Sequence, residues 1–205
     1  MRPDLANDLV HLTLEHLALV GSSMLLAILL GVPLGILLSR HVRARRWWLG
    51  VASVVQTIPS LALFGFLIPV PFIGGIGTRT VIVALVLYAL LPILRNTLAG
   101  LDSVDPAVSD SAIAMGMSDR QLLRQVQLPL AARTIMAGVR VATVTTIGTA
   151  TIAAAIGGGG LGVFIFRGVA SVDVAQILAG AIPSALMALL ADGGLGWIER
   201  KFSAA

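Results

Sequence analysis

Few residues in this 205-residue chain could do chemistry. There is no cysteine, which excludes thiolate nucleophiles, disulfides and Cys-ligated metal. His11, His16 and His41 all lie near the N-terminus and form no metal-spaced cluster with acids. They read as interfacial or solvated side chains. No Gly-x-x-x-x-Gly-Lys-Ser/Thr run occurs, so the chain cannot cradle ATP phosphates in a Walker loop. Gly157-Gly-Gly-Gly-Leu-Gly162 formally contains Gly-x-Gly-x-x-Gly. A dinucleotide site needs a strand before it, a helix after it and a later acid. That context is missing, so the glycines read as a flexible external turn. No catalytic, metal or cofactor residue is nominated.

One hydrophilic segment is patterned for contact with a partner. Asp105-Pro106 is a helix cap followed by proline at the first helical position. Ala107 to Met115 reads as helix, and Gly116 is placed to end it in a left-handed turn. Ser118 caps a second helix, with Gln121 completing a capping box. That helix carries Leu122, Leu123 and Val126 on one side, and Leu128-Pro129 is expected to end it. A short helix-turn-helix with small residues and an apolar patch suits insertion into a groove. DNA binding is disfavoured by Asp105, Asp110 and Asp119 in the same loop.

The flanking elements must be membrane spans. The chain is 57% hydrophobic and 12% charged, with a mean hydropathy of +0.97. Soluble domains carry about 25% charged residues. A span needs about 20 apolar residues. Leu17 to Ser39 is uncharged and reads as span one, retained rather than cleaved. Span two is placed at about Val51 to Val70, where the Pro- and Gly-rich cluster from Ile68 to Gly77 breaks the uncharged run. Thr80 to Leu94 is span three, bounded by Arg79 and Arg95. Val141 to Phe166 holds span four, stopping at Gly157 to Gly160. Val174 to Ala191 is span five. Leu5 to Leu14 suggests a helix lying on the outer interface or leading into span one. The chain reads as one domain, 1–205, with its core at about 15–195 and residues 1–16 peripheral.

Arginine placement orients these spans. Arg40, Arg43, Arg45, Arg46, Arg95, Arg120, Arg124, Arg133, Arg140, Arg200 and Lys201 fall on one side. Only Arg2, Arg79 and Arg167 fall on the other. The positive-inside rule then puts the N-terminus outside and the C-terminus in the cytoplasm.

Asp110-Ser-Ala-Ile-Ala-Met-Gly116, nine residues, then Val126-Gln-Leu-Pro129 resembles the EAA loop of ABC-importer permeases. Asp110 replaces the usual Glu, and Ser111 the first Ala. The resemblance implies an all-α integral membrane protein of the type I ABC-importer (MetI-like) fold, with five transmembrane helices and a cytoplasmic coupling helix. Asp110, Ser111, Ala112, Gly116, Leu122, Leu123, Val126, Leu128 and Pro129 would form the ATPase-coupling loop. A side chain at Gly116 would clash or straighten the turn. Glu15-His-Leu17, Gly31 to Arg40, Gln56 to Phe66, Gly138 to Ala150 and Ile156 to Gly162 resemble the osmoprotectant branch, which imports glycine betaine, choline, carnitine or similar solutes. Methionine-type permeases share the core.

That family implies a second permease copy or paralogue, two ATP-binding-cassette subunits, an external substrate-binding protein, and a location in the bacterial cytoplasmic (inner) membrane. ATP and Mg would be bound by the partner ATPase, leaving no cofactor and no enzyme activity in this chain. Gln56, Thr57, Pro59, Ser60, Thr146 and Thr149 put polar groups or a helix break at membrane depth, as a translocation path requires. Thr143 and Thr145 share that character. Helix packing through small polar residues is the competing reading. Tyr88 is the only tyrosine, so no aromatic cage for a cation is evident. A secondary transporter is the alternative, but no ionisable residue falls mid-span in this assignment.

Overall fold

A computed structural model describes residues 3–202, and side-chain surroundings from Asn7 onward. Arg2, counted above among the external charges, lies outside them, as does the side chain of Leu5. The described residues are almost entirely helical and contain no strand.

Helix α1 (Pro3–Ser39) runs unbroken through Pro33. The N-terminal segment is therefore continuous with span one rather than separate from it. After only two intervening residues, α2 (Val42–Thr57) and α3 (Ser60–Leu67) form a pair bent by 104°. Span two is thus a broken element, not a straight helix over Val51–Val70. Pro59 causes the break. It forces Ile58 out of the helical region, to φ −70° and ψ 126°.

Helix α4 (Thr78–Asp102) is the centre of the fold, with 12 of its 25 residues buried. It continues well past Arg95, whose guanidinium donates to Ser53 Oγ at 3.0 Å on α2. After α5 (Pro106–Ala114) come the single turn α6 (Asp119–Gln121), a π-helical segment (Leu122–Gln127) and α7 (Leu128–Ala150). These join into one rod, Asp119–Ile156, whose last turn is 3₁₀. Leu128-Pro129 was expected to end a helix, and it does not. Pro129 has no N–H, and in α register its ring would press on the carbonyl of Gln125. The π segment widens the backbone just before it, with Leu128 N–H bonding to Leu123 O.

Helix α8 (Gly162–Ser171) was not foreseen: it lies between the glycines where span four is expected to stop and the start of span five at Val174. It folds back along α9 (Val174–Lys201). A Cβ on Gly180 would lie 2.5 Å from Leu161 O, and one on Gly168 2.6 Å from the Ile177 amide nitrogen. Only glycine allows so close an approach. Val172 closes the turn at φ 55°, and Asp173 caps α9 through the N–H groups of Ala175 and Gln176.

Among the described residues, four helices are long and apolar enough to cross a membrane: α1, α4, the Asp119–Ile156 rod and α9. The bent α2–α3 pair makes a fifth only if its two arms count as one span. In lipid, helices gain little from burying apolar side chains against each other, so close packing must hold them. Gly31 and Gly35 of α1 face Ile93 and Thr97 of α4. A Cβ on Gly35 would sit 2.7 Å from Thr97 Cγ2. Gly138 of α7 faces α4 in the same way, its Cβ position 2.4 Å from Asn96 Cβ and 2.9 Å from Pro92 O.

Arg140 also departs from expectation. It lies in the middle of α7, not in a loop before it. Its Nε and Nη2 donate to the two Asp192 oxygens at 2.6 and 2.7 Å, and Nη1 donates to Glu199 at 3.3 Å. The pair joins two spanning helices.

Gly138→Val should cost about 1–3 kcal/mol by overpacking the α4–α7 contact. Gly148→Ala, whose Cβ meets nothing within 4 Å, is the control. Thermal unfolding in detergent checks this: the first variant melts lower than the parent, the second does not.

Candidate functional site

The expected helix-turn-helix is present, and local bonds explain its shape. Asp105 Oδ1 accepts from Ala107 N–H at 2.8 Å, starting α5. Gly116 ends it at φ +87°. Gly116 N–H bonds to Ile113 O at 2.9 Å and Met117 N–H to Ala112 O at 3.2 Å, the paired bonds of a Schellman turn. Ser118 N–H then donates to Gln121 Oε1 at 2.8 Å, so the rod starts at a capped end. A Cβ at Gly116 would meet nothing within 4 Å. The constraint there is the positive φ alone, and the expected clash does not arise.

The loop residues divide into two groups. Ala112 and Leu122 are buried, Leu123, Val126 and Leu128 half-buried, so they support the motif from behind. Asp110, Ser111 and Pro129 are exposed. Apolar side chains presented outward are Ile113 and Met115, 54% and 75% exposed, and Val108 in the first turn of α5. None of these three was nominated from the sequence. Met115 sits just before the turn glycine, and that position was the available signal.

Ion pairs gather helix ends around this motif. Arg40, just after α1, bonds Asp119 at the start of the rod at 3.0 Å. Arg45 of α2 meets Asp102 at the end of α4 at 2.6 Å. At the opposite end of the molecule, Gly160 N–H donates to Glu15 Oε2 at 3.0 Å. The Gly157–Gly160 turn is therefore fastened to α1 rather than loose. His16 beside it is fully buried, not solvated, with Nε2 3.1 Å from Ile147 O.

The nominated pathway residues do not converge. Gln56 lines a cleft of about 340 Å³ with Leu91, Pro92, Arg95, Asn96, Val141 and Thr145. Thr57 and Thr149 bond back to their own helices, at Val54 O and Thr145 O. Pro59 is exposed and Ser60 half-buried at the α2–α3 break. Thr146 is buried, its hydroxyl 3.5 Å from Met24 Sδ on α1, and so packs helices.

The break itself is clasped. Pro92 has no N–H to give the Tyr88 carbonyl, four residues earlier. Gln56 Nε2 donates to that carbonyl at 3.1 Å. In return the Tyr88 hydroxyl donates to Ile58 O, the carbonyl left over where α2 stops. Two carbonyls released by two prolines are each satisfied by the other element. Asn96 Nδ2 donates to Pro92 O at 2.9 Å on the same face.

The sequence profile for binding-protein-dependent transport system inner membrane components matches residues 27–204, most of the chain. The chain belongs to this family. Among its relatives, the glycine betaine/carnitine/choline transport system permease protein OpuCD of Bacillus subtilis (strain 168) is 48% identical over 190 residues, 92% of this chain and 82% of that protein. OpuCB, a permease protein of the same organism named for the same transport system, is 41% identical over 194 residues, 95% of this chain and 88% of that one. In fold, this inner membrane component is similar to a chain of the inward-facing MetNI methionine ABC transporter, with a TM-score of 0.88. That likeness covers 98% of this chain and 99% of the other, at 22% identity. The MetI-like, all-α membrane fold expected from the loop is therefore the fold of this chain.

Gln56→Leu and Tyr88→Phe should each lower stability by about 1 kcal/mol, the usual net worth of such a bond. Because both bonds hold one clasp, the double variant should fall short of or exceed the sum by at least about 0.5 kcal/mol. A double-mutant cycle from denaturation midpoints measures the coupling.

Proposed function

We propose that this chain is one transmembrane half of an ATP-driven importer of osmoprotectants, glycine betaine, choline, carnitine or a similar solute. One observation carries the coupling role: α5 presents Ile113 and Met115 to the outside on a turn fixed at both ends. An apolar, exposed, rigidly capped helix is the kind of knob that seats in a partner's groove. The EAA-like spacing supports an ATP-binding-cassette subunit as that partner, which would bind ATP and Mg in this chain's place. The identities with OpuCD and OpuCB support the solute class.

The geometry suggests how motion would travel. α5 connects through the Schellman turn and the Ser118–Gln121 cap straight into the Asp119–Ile156 rod. A pull on Ile113 and Met115 would move that rod against α4 and α9. The Arg40–Asp119 pair would carry the end of α1 with it. Because the rod crosses the membrane, displacement of the coupling helix would reach the far side. Two such halves are needed to enclose a path. OpuCD and OpuCB share one system name, which favours a paralogous pair as readily as two identical copies. With the N-terminus outside, α5 faces the cytoplasm, where the ATPase would be, and an external binding protein would deliver solute near the Glu15 end.

The test is uptake by the full complex, with its ATPase and binding protein, in proteoliposomes. Labelled glycine betaine, choline or carnitine should accumulate on ATP addition, and methionine should not. Ile113→Asp should leave insertion and assembly of the permease intact yet reduce ATP-driven uptake by at least about tenfold. Burying the lost apolar side chain is worth about 1.5–3 kcal/mol, and a charge in the groove adds to that loss. Full uptake by Ile113→Asp refutes the coupling role of α5; transport of methionine alone refutes the solute class.

A further inference from the structure

The start of α2 carries a pattern that neither transport nor coupling uses. Arg43, Arg46 and Trp47 lie one turn apart on one face, and Gly50 and Val54 continue the same stripe. The helical period puts positions 43, 47, 50 and 54 in line. Arg43 and Arg46 are exposed and hold no ion pair among the described residues. Their neighbours differ: Arg45 turns the other way to Asp102, and Arg40 is taken by Asp119.

Below the arginines the stripe is apolar and dented. A groove of about 440 Å³ is lined by Arg46, Trp47, Gly50, Val51, Val54 and Val55. Gly50 makes its floor, since a Cβ there would meet nothing within 4 Å. Trp47 forms one wall at 63% exposure and is fixed against Trp48, edge to face, with ring centroids 5.3 Å apart. The arginines thus sit at one end, and the groove runs about 12–16 Å toward the break at Ile58.

We propose that this face of α2 is a binding site for one anionic phospholipid. Arg43 and Arg46 take the headgroup phosphate, and an acyl chain lies over Gly50 between Trp47 and Val54. Charge complementarity selects the occupant. A second copy of this chain or a partner helix on the same groove would have to neutralise two unpaired guanidinium groups, whereas an anionic lipid brings its phosphate to them. The position fits as well. α2 begins two residues after the spanning helix α1 ends, at the bilayer edge, where tryptophan and arginine belong.

The test is native mass spectrometry of the full chain, released from mild detergent with added phosphatidylglycerol or phosphatidylcholine. The parent should retain phosphatidylglycerol in preference. Arg43→Gln and Arg46→Gln should each reduce that retention about fivefold. Gly50→Leu should also abolish the preference, by filling the groove while leaving both arginines in place. A Cβ at position 50 meets no protein atom within 4 Å, so this variant keeps the test open if the arginine variants fail to fold. Equal retention of the two lipids by the parent would overturn the proposal, as would undiminished phosphatidylglycerol in Gly50→Leu. So would a disulfide-linked dimer of Val54→Cys, which would place protein on the groove. The chain has no other cysteine to confuse that result.

Discussion

In a bilayer core no water waits to bond a stray peptide group, and this fold is arranged around that constraint. The three prolines that matter most, Pro59, Pro92 and Pro129, each disturb the backbone ladder of a spanning element. The disturbance is answered differently each time. Pro129 is absorbed within its own helix by the π segment from Leu122 to Gln127. Pro59 and Pro92 are answered across helices, through Tyr88 and Gln56. The second solution does more than repair. It sets where the arms of the bent α2–α3 pair sit against α4, and so shapes the cleft that contains Gln56, Arg95 and Asn96.

The same constraint explains which expectations matched the structure. The helix-turn-helix was readable because its signals act within four or five residues: Asp105 on Ala107, Gly116 on Ile113, Ser118 on Gln121. Each bond forms whatever the rest of the chain does. Pro129 misled because proline in sequence says only that an α-helical bond is lost, not how the backbone responds. α8 was invisible for a related reason. Its helix is short and depends on Gly162, Gly168 and Gly180 letting backbones touch, which is a contact between segments. His16 looked solvated because nothing near it in sequence shows that Ile147, 131 residues later, takes its ring nitrogen. Gly31 and Gly35 did carry a readable signal, four apart on one face, and they mark the α1–α4 contact.

The EAA-like segment shows why a motif and its exposed surface differ. Spacing drew attention to Leu122, Leu123, Val126 and Leu128, which are buried or half-buried supports. The outward face belongs to Ile113 and Met115, within the motif but not part of its pattern. A pattern held by backbone geometry marks the residues that make the turn. Exposed side chains beside such a turn are not constrained by its backbone geometry, so they leave a weaker trace.

Helix α9 poses the remaining question of how a lightly packed span keeps its register. Only 11% of its most apolar stretch is buried, against 56% for α4. Lipid offers its apolar side chains as good a surrounding as protein does, so dispersion alone would let it slide. Two features fix it. Gly168 and Gly180 bring α8 and α9 to backbone contact, and Arg140 grips both carboxylate oxygens of Asp192 and reaches Glu199, about two turns further along the same face. A forked guanidinium on a carboxylate is directional, so it specifies rotation as well as height. Gly196 belongs to the same device: a Cβ there would lie 3.0 Å from Arg140 Nη1, so the guanidinium packs directly against the glycine and would have to shift to admit a side chain. The span with the least packing of the four is thus the one registered by charge, and its anchor is on α7, the helix that continues from α5 through the capped turn.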